Sequence, residues 1–169
     1  AFDNCDNLTS IVIPNSVISM GANPFRRCES LTQIIVSPDH PTLATIDGVL
    51  FSKTDKRLIT YPYAFTQSEY TIPQGIEIIG ERSFWHCTNL NSINLPDSIT
   101  FIGERAFEYC ENLKSIFIPS SVEYIHYYQF ISCPNLDSIV VERNSYAKQY
   151  FDEHDMDYSY PDSNDWLNG

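Results

Sequence analysis

The stretch Ala106-Phe-Glu-Tyr-Cys-Glu-Asn-Leu-Lys-Ser-Ile-Phe-Ile-Pro119 decides the fold of this chain, because its pattern recurs along most of the sequence. Residues 83–96, which lie 23 positions earlier, have the same Phe, Cys, Asn-Leu, Ser-Ile and Pro positions. Continued past the proline, the unit can be written F-x-x-C-x-x-L-x-x-I-x-I-P-x-x-V/I-x-x-I-G. The pattern predicts that the chain is built from stacked copies of one short unit.

Cysteines mark five of these units, and each has a Phe three residues before it and a Leu three residues after it. The cysteines are Cys5, Cys28, Cys87, Cys110 and Cys133. Three of the four gaps are 23 residues long, and the gap of 59 holds two periods plus 13 residues. A sixth unit fills that gap, with Tyr61 at the Phe position and Ala64 at the Cys position. A fixed period of about 20–29 residues with this apolar spacing is typical of a leucine-rich solenoid.

The Ile-x-Ile segment of each unit predicts a short strand, because its apolar residues recur with a period of two and both side chains therefore point inward. The Pro after this segment ends the strand pairing. The Val/Ile-x-x-Ile-Gly segment predicts a second extended piece. The Ala/Ser-Phe-x-x-Cys segment is long enough for a helical turn at most. We therefore expect a β-rich α/β solenoid, a leucine-rich repeat right-handed superhelix with a parallel sheet on one face. The 13 extra residues predict a β-hairpin insertion at about residues 40–60, with apolar segments 44–52 and 58–61 around the charged turn 53–57.

Three segments follow from this pattern. Residues 1–145 form the solenoid of six units, and residues 146–160 form a C-terminal cap whose helix is N-capped by Ser145. Residues 161–169 form a flexible acidic tail. The chain starts in the middle of a unit, so we expect further repeats and any signal peptide to lie upstream. Its first strand would then be open to edge pairing with a second copy.

The unit resembles the BspA-like leucine-rich repeat family, a bacterial branch of the leucine-rich repeat proteins, over about residues 1–145 and the cap to residue 160. The segments Ile46-Asp-Gly-Val-Leu-Phe51 and Leu58-Ile-Thr-Tyr-Pro62 are similar to the hairpin variant of that family. The resemblance implies a secreted or surface-attached bacterial protein that binds extracellular or host proteins and supports adhesion. It supplies no catalytic residues and no anchor motif.

The charge balance excludes a polyanionic partner. The chain has 22 Asp and Glu against 10 Lys and Arg, a net charge of −12, so nothing would neutralise the phosphates of a nucleic acid. No apolar run approaches the ~20 residues of a membrane-spanning helix. An acidic surface favours a basic protein partner.

The residue types that usually carry chemistry do not form a recognisable site. The cysteines lack C-x-x-C spacing, and parallel stacked side chains are poorly placed for disulfides, so we expect buried thiols and no metal or other cofactor. The four histidines share no spacing, and no catalytic motif is present. An acidic cluster near the C-terminus is compatible with weak Ca²⁺ binding, although a solvated surface is the simpler interpretation. Its members are Asp152, Glu153, Asp155, Asp157, Asp162 and Asp165.

The outward face of the predicted strands is the candidate partner-binding surface. Its central column contains Val12, Ile35, Thr71, Asn94, Phe117 and Val140, and Ser92 and Ser115 lie two positions before Asn94 and Phe117. Phe117 is a large apolar group where the strand should face solvent, which marks either a binding patch or a face that another segment covers. If it is a binding patch, Phe117→Ala lowers partner affinity without lowering Tm.

Three functions remain open on the sequence. The first is a non-enzymatic protein-interaction module, and the second is a stalk or spacer that displays another domain. The third, a hydrolase of surface glycans, requires paired carboxylates in one cleft, whereas the repeat offers rows. The apolar members of the outward column favour the first.

Overall fold

The structure, a computed structural model, describes residues 2–161, which fold as a solenoid of about six turns with one helix. The elements in chain order are β1 (Ser10–Ile13), β2 (Gln33–Val36), β3 (Leu43–Ile46), β4 (Val49–Ser52), β5 (Arg57–Thr60), β6 (Glu69–Thr71), β7 (Ile78–Ile79), β8 (Ser92–Asn94), β9 (Phe101–Ile102), β10 (Ser115–Ile118), β11 (Tyr124–Ile125), β12 (Ser138–Val141) and α1 (Tyr146–Glu153). Among these residues, no helix has the length and apolar character needed to cross a bilayer. Apart from Pro161, the tail predicted for residues 161–169 lies outside the described residues.

The predicted Ile-x-Ile strands form parallel ladders in which partners are one unit apart. Strands β6, β8, β10 and β12 make a four-stranded sheet, and β1 pairs with β2 in a separate two-stranded sheet. Within the first, Ser92 pairs with Ser115 and Ser115 with Ser138. The alternation buries Ile93, Ile116 and Ile139 while their neighbours face outward.

The Val/Ile-x-x-Ile-Gly segments form a second parallel ladder of two-residue strands, β7, β9 and β11, which β5 extends. Glycine follows two of these strands because the backbone approaches the preceding turn closely there. A Cβ on Gly103 would lie 2.7 Å from the nitrogen of Glu81 and 2.9 Å from the carbonyl oxygen of Ile79. The second extended piece of the unit therefore forms a parallel sheet of its own, separate from that of the Ile-x-Ile strands.

The insertion contains three antiparallel strands, β3, β4 and β5. The prediction that residues 44–52 form one extended segment is wrong, because Asp47-Gly48 turns the chain inside it. Both residues have positive φ, 50° and 81°, as a two-residue hairpin loop requires. A side chain at position 48 would also collide with the Phe65 ring, which lies 2.6 Å from the ideal Cβ position of Gly48.

The inserted strands separate two hydrophobic cores. Leu50 and Ile59 pack with the N-terminal units, whereas Phe51 and Leu58 pack with the remaining units. Because successive side chains of a strand point to opposite faces, β4 and β5 contribute to both cores. Both strands are consequently buried on each side, and the buried residues of the solenoid fall into two clusters.

The turns that contain Phe and Cys form a third ladder, in which backbone amides of one unit donate hydrogen bonds to carbonyl groups of the next unit. The amide of Phe84 donates to the carbonyl of Ala106 (2.9 Å), and that of His86 donates to the carbonyl of Glu108 (2.8 Å). Both side chains that the pattern places inward, Phe84 and Cys87, are buried. Two positions of successive units have left-handed backbone, with φ between 52° and 69°: Arg82, Arg105 and Tyr128, and His86, Tyr109 and Ser132.

Helix α1 follows the last unit, and Ser145 is its N-cap as predicted. Ser145 Oγ accepts a hydrogen bond from the Lys148 amide (3.1 Å). Ala147, Tyr150 and Phe151 bury one face of the helix against the last unit. After the helix, the chain contributes one bridge between Ser159 and Val140.

Candidate interaction surfaces

The structure distributes the predicted outward column over two sheets. Val12 pairs with Ile35 in the N-terminal sheet. In the four-stranded sheet, Thr71 pairs with Asn94, Phe117 with Val140, and Ser92 with Ser115. The insertion separates the two groups, so the eight residues do not form one continuous surface.

Exposure also differs along this column. Val12 and Ile35 are 66% and 40% exposed, whereas Phe117 and Val140 are partly buried. Phe117 on the outward face is therefore accessible only in part. Val140 is bridged by Ser159, because the chain after α1 returns to the sheet edge.

The second sheet presents an aromatic column that the sequence reasoning missed. Phe101 pairs with Ile78 on one side and with Tyr124 on the other. Phe101 and Tyr124 are 36% and 40% exposed, and their rings stack with centroids 5.0 Å apart. The signal was available, since both residues directly precede the inward Ile of Val/Ile-x-x-Ile-Gly, and a two-residue strand alternates like a longer one.

This column continues onto the turn of the last unit. The ring centroids of Tyr124 and His126 are 6.2 Å apart, and those of His126 and Tyr127 are 4.3 Å apart. We call Phe101, Tyr124, His126 and Tyr127 the aromatic strip. Tyr127, at 54% exposure, is its most accessible member.

A second aromatic group lies on the turn ladder. Tyr63 Oη is hydrogen-bonded to His86 Nδ1 (2.8 Å), and Tyr109 stacks on His86 at 5.7 Å. Arg27 lies 5.9 Å from the ring centroid of Trp85, which contacts Tyr109 edge-on. These contacts pack the group along one edge of the solenoid, where Tyr109 remains 37% exposed.

A groove of about 280 Å³ lies between the last unit and helix α1. Residues 127–131 of the unit line it on one side, and Tyr150, His154 and Met156 line it on the side of the cap. We call these eight residues the cap groove.

The polar groups of the cap groove are few. The single hydroxyl proton of Tyr150 lies between two acceptors, the carbonyl oxygen of His126 and Oε1 of Gln129, each 3.3 Å from Oη. Burial raises the pKa of Tyr150, so the hydroxyl stays protonated at neutral pH. His154 Nδ1 donates to the Tyr150 carbonyl (2.7 Å), and the two rings stack at 4.1 Å. Nε2 of Gln129 has no hydrogen-bond partner within residues 2–161.

The surroundings of the cysteine thiols indicate a structural role. All five cysteines are unpaired by disulfides, and burial raises the pKa of Cys28, Cys87 and Cys110. A raised pKa lowers the fraction of reactive thiolate. In the described part of the chain, no group of three or more His, Cys, Asp or Glu side chains is arranged to hold a metal ion.

Comparison with known families gives one match to this chain. A family model described as "BspA type Leucine rich repeat region" matches residues 1–68 and 59–156 with six copies. A search of curated proteins found no match.

Solved structures give the same architecture. The pneumococcal vaccine antigen PcpA is 28% identical with a TM-score of 0.74, over 82% of this chain and 40% of that one. A leucine-rich cell surface protein from Faecalibacterium prausnitzii is 27% identical with a TM-score of 0.66, over 95% and 50%. A leucine-rich repeat protein from Eubacterium ventriosum, at 21% identity and a TM-score of 0.64 over 90% and 48%, shares the fold. This chain thus spans half or less of the length of these relatives.

Proposed function

Because this chain belongs to the BspA-type leucine-rich repeat family, we propose that it is a non-enzymatic protein-interaction module of a secreted or surface-attached bacterial protein. Its role is adhesion to a host matrix or cell. Proteins of this repeat class from bacterial surfaces generally bind other proteins. The observation that carries the proposal for this chain is the aromatic strip.

The strip has the properties of a binding anchor. Phe101 and Tyr124 stand on paired strands, so they lose little conformational freedom on binding. Tyr and other large aromatic residues dominate the energetics of protein interfaces when they enter a pocket of the partner. Thr100 and Glu123 lie directly before Phe101 and Tyr124 and supply polar neighbours, and Glu77, which precedes Ile78, pairs with Lys56. With a net charge of −12, the surface favours a partner with a basic rim around an apolar pocket.

The outward column of the first sheet is a second candidate surface on the same module. Val12 and Ile35 form an exposed apolar pair, and Phe117 beside Val140 is partly accessible. The proposed contact residues of this surface are Val12, Ile35, Thr71, Asn94, Phe117, Val140, Ser92 and Ser115. The two surfaces belong to different sheets, so substitutions can separate their contributions.

The test measures binding to an immobilised panel of purified extracellular-matrix proteins at low and high salt. We replace Phe101 and Tyr124 by Ser, which occupies the equivalent position of the first unit at Ser19. The double variant should bind about tenfold or more weakly, since each aromatic anchor is worth about 1 kcal/mol or more. Its Tm should change little, because both side chains are exposed.

The matched control is Ile46→Ser, which removes an equally exposed apolar side chain (40%) from the insertion. Phe117→Ala in the same assay reports on the first sheet. Equal losses in the Ile46 and strip variants, or no binding to any matrix protein, would overturn the proposal. The stalk hypothesis predicts the second result, because a spacer needs no contact surface.

A further inference from the structure

The last unit replaces three charged residues of the preceding unit by exposed side chains that are largely apolar. In the preceding unit, Arg105 Nε lies 3.6 Å from Glu104 Oε1 and 4.0 Å from Glu108 Oε1, so the three side chains form ion pairs. Their equivalents 23 positions later are 54%, 55% and 37% exposed: Tyr127, Tyr128 and Ile131. The backbone accepts either set, since φ is 52° at Arg105 and 69° at Tyr128. The requirements of the solenoid alone therefore do not explain the apolar set.

The three apolar side chains lie along the cap groove and form part of its lining. Phe130 on the same side, with Tyr150 and Met156 on the side of the cap, completes a lining that is mostly apolar. The volume of about 280 Å³ lies just below the range of sites for drug-sized ligands, which suits a single large side chain. Burial of such a side chain removes apolar surface of both partners from water, and the flexible Met156 can adapt to its shape.

Helix α1 ends at the groove with negative charge. Its C-cap is the groove residue His154, and the last turn of this fully described helix has no basic side chain. Asp152 is paired with Lys148, but Glu153 and Asp155 directly flank His154 in the chain. Carboxylates therefore reinforce the negative end of the helix dipole instead of neutralising it, and a cation is favoured there.

The same sign of charge extends over this half of the molecule. Residues 83–169 contain 13 acidic and four basic residues, whereas residues 1–82 contain nine and six. A second copy of this chain would bring a further charge of −12 to the groove, so the charge opposes self-association. The occupant that fits both the lining and the charge is a large apolar side chain flanked by Lys or Arg.

We propose that the cap groove binds one Trp or Phe side chain of the protein partner, and that a neighbouring Lys or Arg of the partner lies at the end of α1. This inference rests on the protein-interaction function proposed above, and it identifies the contact segment of the partner as basic and aromatic. Tyr127 belongs to both the cap groove and the aromatic strip, so the two anchor sites form one continuous surface at the last unit.

The test is an NMR titration of the full chain with end-blocked pentapeptides Gly-Lys-X-Lys-Gly, in which X is Trp, Phe or Ala. The Trp or Phe peptide should bind with a dissociation constant of about 1 mM or tighter and shift the amide resonances of residues 127–131 and 150–156. The Ala peptide should bind about tenfold or more weakly, because it leaves the groove unfilled. Gly-Glu-Trp-Glu-Gly should bind about fivefold or more weakly at about 50 mM NaCl, because the end of α1 repels its flanking charges.

Ile131→Glu separates apolar contact from simple charge attraction. The substitution restores the residue of the preceding unit, Glu108, so the variant should fold with a Tm close to that of the unchanged chain. Its added negative charge would by attraction alone strengthen binding of the Lys-flanked Trp peptide, yet loss of apolar lining should weaken binding by about fivefold or more. The matched control, Ile46→Glu, places the same carboxylate at a 40% exposed Ile of the insertion and should leave peptide binding unchanged.

The contribution of the helix end is measured with the double variant Glu153→Gln and Asp155→Asn. The variant should bind the Lys-flanked Trp peptide about threefold or more weakly, because the favourable charge contact is lost. Binding of a Trp peptide with Gln flanks should not change.

Equal binding of the Trp and Ala peptides, or tighter binding by Ile131→Glu, would overturn the proposal. A concentration-dependent dimer in sedimentation that Ile131→Glu dissociates would also overturn it, because the groove would then hold a second copy. The Phe101 and Tyr124 double variant should retain peptide binding, which distinguishes the two tests. Matrix binding without peptide binding would reject the groove proposal alone, whereas peptide binding without matrix binding would support the groove and count against the matrix role alone.

Discussion

The cysteine side chains act as hydrogen-bond donors between successive units. Sγ of Cys28, Cys110 and Cys133 donates to the carbonyl oxygen of Phe2, Phe84 and Phe107 in the preceding unit, at 2.9, 3.1 and 3.1 Å. A thiol is small and apolar enough to fill the corner behind the Phe ring, and it still offers a weak donor. This double role accounts for the fixed spacing of Cys without invoking a disulfide or a metal ion.

Alkylation should distinguish buried from accessible thiols in the native chain. Cys28, Cys87 and Cys110 are buried with a raised pKa, whereas Cys5 and Cys133 are partly exposed. We expect iodoacetamide to modify the buried three at least about tenfold more slowly, because little thiolate forms and access requires local opening. Peptide mapping by mass spectrometry gives the five rates. Urea should make them equal, and early modification of Cys110 in native protein would contradict this view of the column.

At the scale of elements, Asn23 joins the two cores across the insertion. Its Nδ2 donates to the carbonyl oxygen of Arg82 (2.7 Å), and its Oδ1 accepts from Thr60 Oγ1 (3.1 Å) and from the Phe25 amide (3.3 Å). These hydrogen bonds connect the N-terminal units to Thr60 in β5 and to the backbone of Arg82. An apolar residue would leave these polar groups without partners where water has little access.

Asn23→Ala should lower the free energy of unfolding by about 2–3 kcal/mol and Tm by about 5–10 °C. The cost is that of buried polar groups left unpaired, since Asn23 is 9% exposed. Urea titration followed by circular dichroism measures it. Asn15→Ala, at an exposed position, should change stability by no more than about 0.5 kcal/mol. Similar small values for both variants would mean that the cores are held together by apolar packing alone.

The elements differ in how far the sequence predicted them. The period of 23 residues and the Ile-x-Ile alternation predicted the repeat register, and Ser145 predicted the start of α1, because these depend on local pattern. The three-stranded insertion was missed because Asp47-Gly48 lies inside an apolar run. The cap groove was missed because it depends on which faces meet. The aromatic strip did leave signs in the sequence, since Phe101 and Tyr124 precede an inward Ile and His126 replaces the glycine of earlier units.

For the molecule as a whole, the excess of carboxylates is the dominant electrostatic feature. Several cations are already paired, as in Arg26 with Asp3 and Lys148 with Asp152, both at 2.6 Å. Hydrogen bonding to these cations lowers the pKa of Asp3 and of Asp152. A carboxylate with a lowered folded-state pKa stabilises the fold above its unfolded pKa, and this contribution is lost as pH falls through the folded value. Both pairs are therefore intact at pH 7, but their exposed positions make each contribution small.

Repulsion among the remaining carboxylates should make the solenoid more stable in salt. With 22 acidic and 10 basic residues, raising NaCl from about 50 to about 500 mM at pH 7 shortens the screening length from roughly 14 to roughly 4 Å. This weakens long-range repulsion between the rows of acidic residues more than it weakens close ion pairs, so Tm should rise by a few degrees. Calorimetry at both salt concentrations measures this rise in Tm, which should shrink near about pH 4.5, where part of the carboxylates are protonated. A fall in Tm with salt at pH 7 would instead mean that the surface ion pairs give net stabilisation. The same screening should weaken binding to a basic matrix protein.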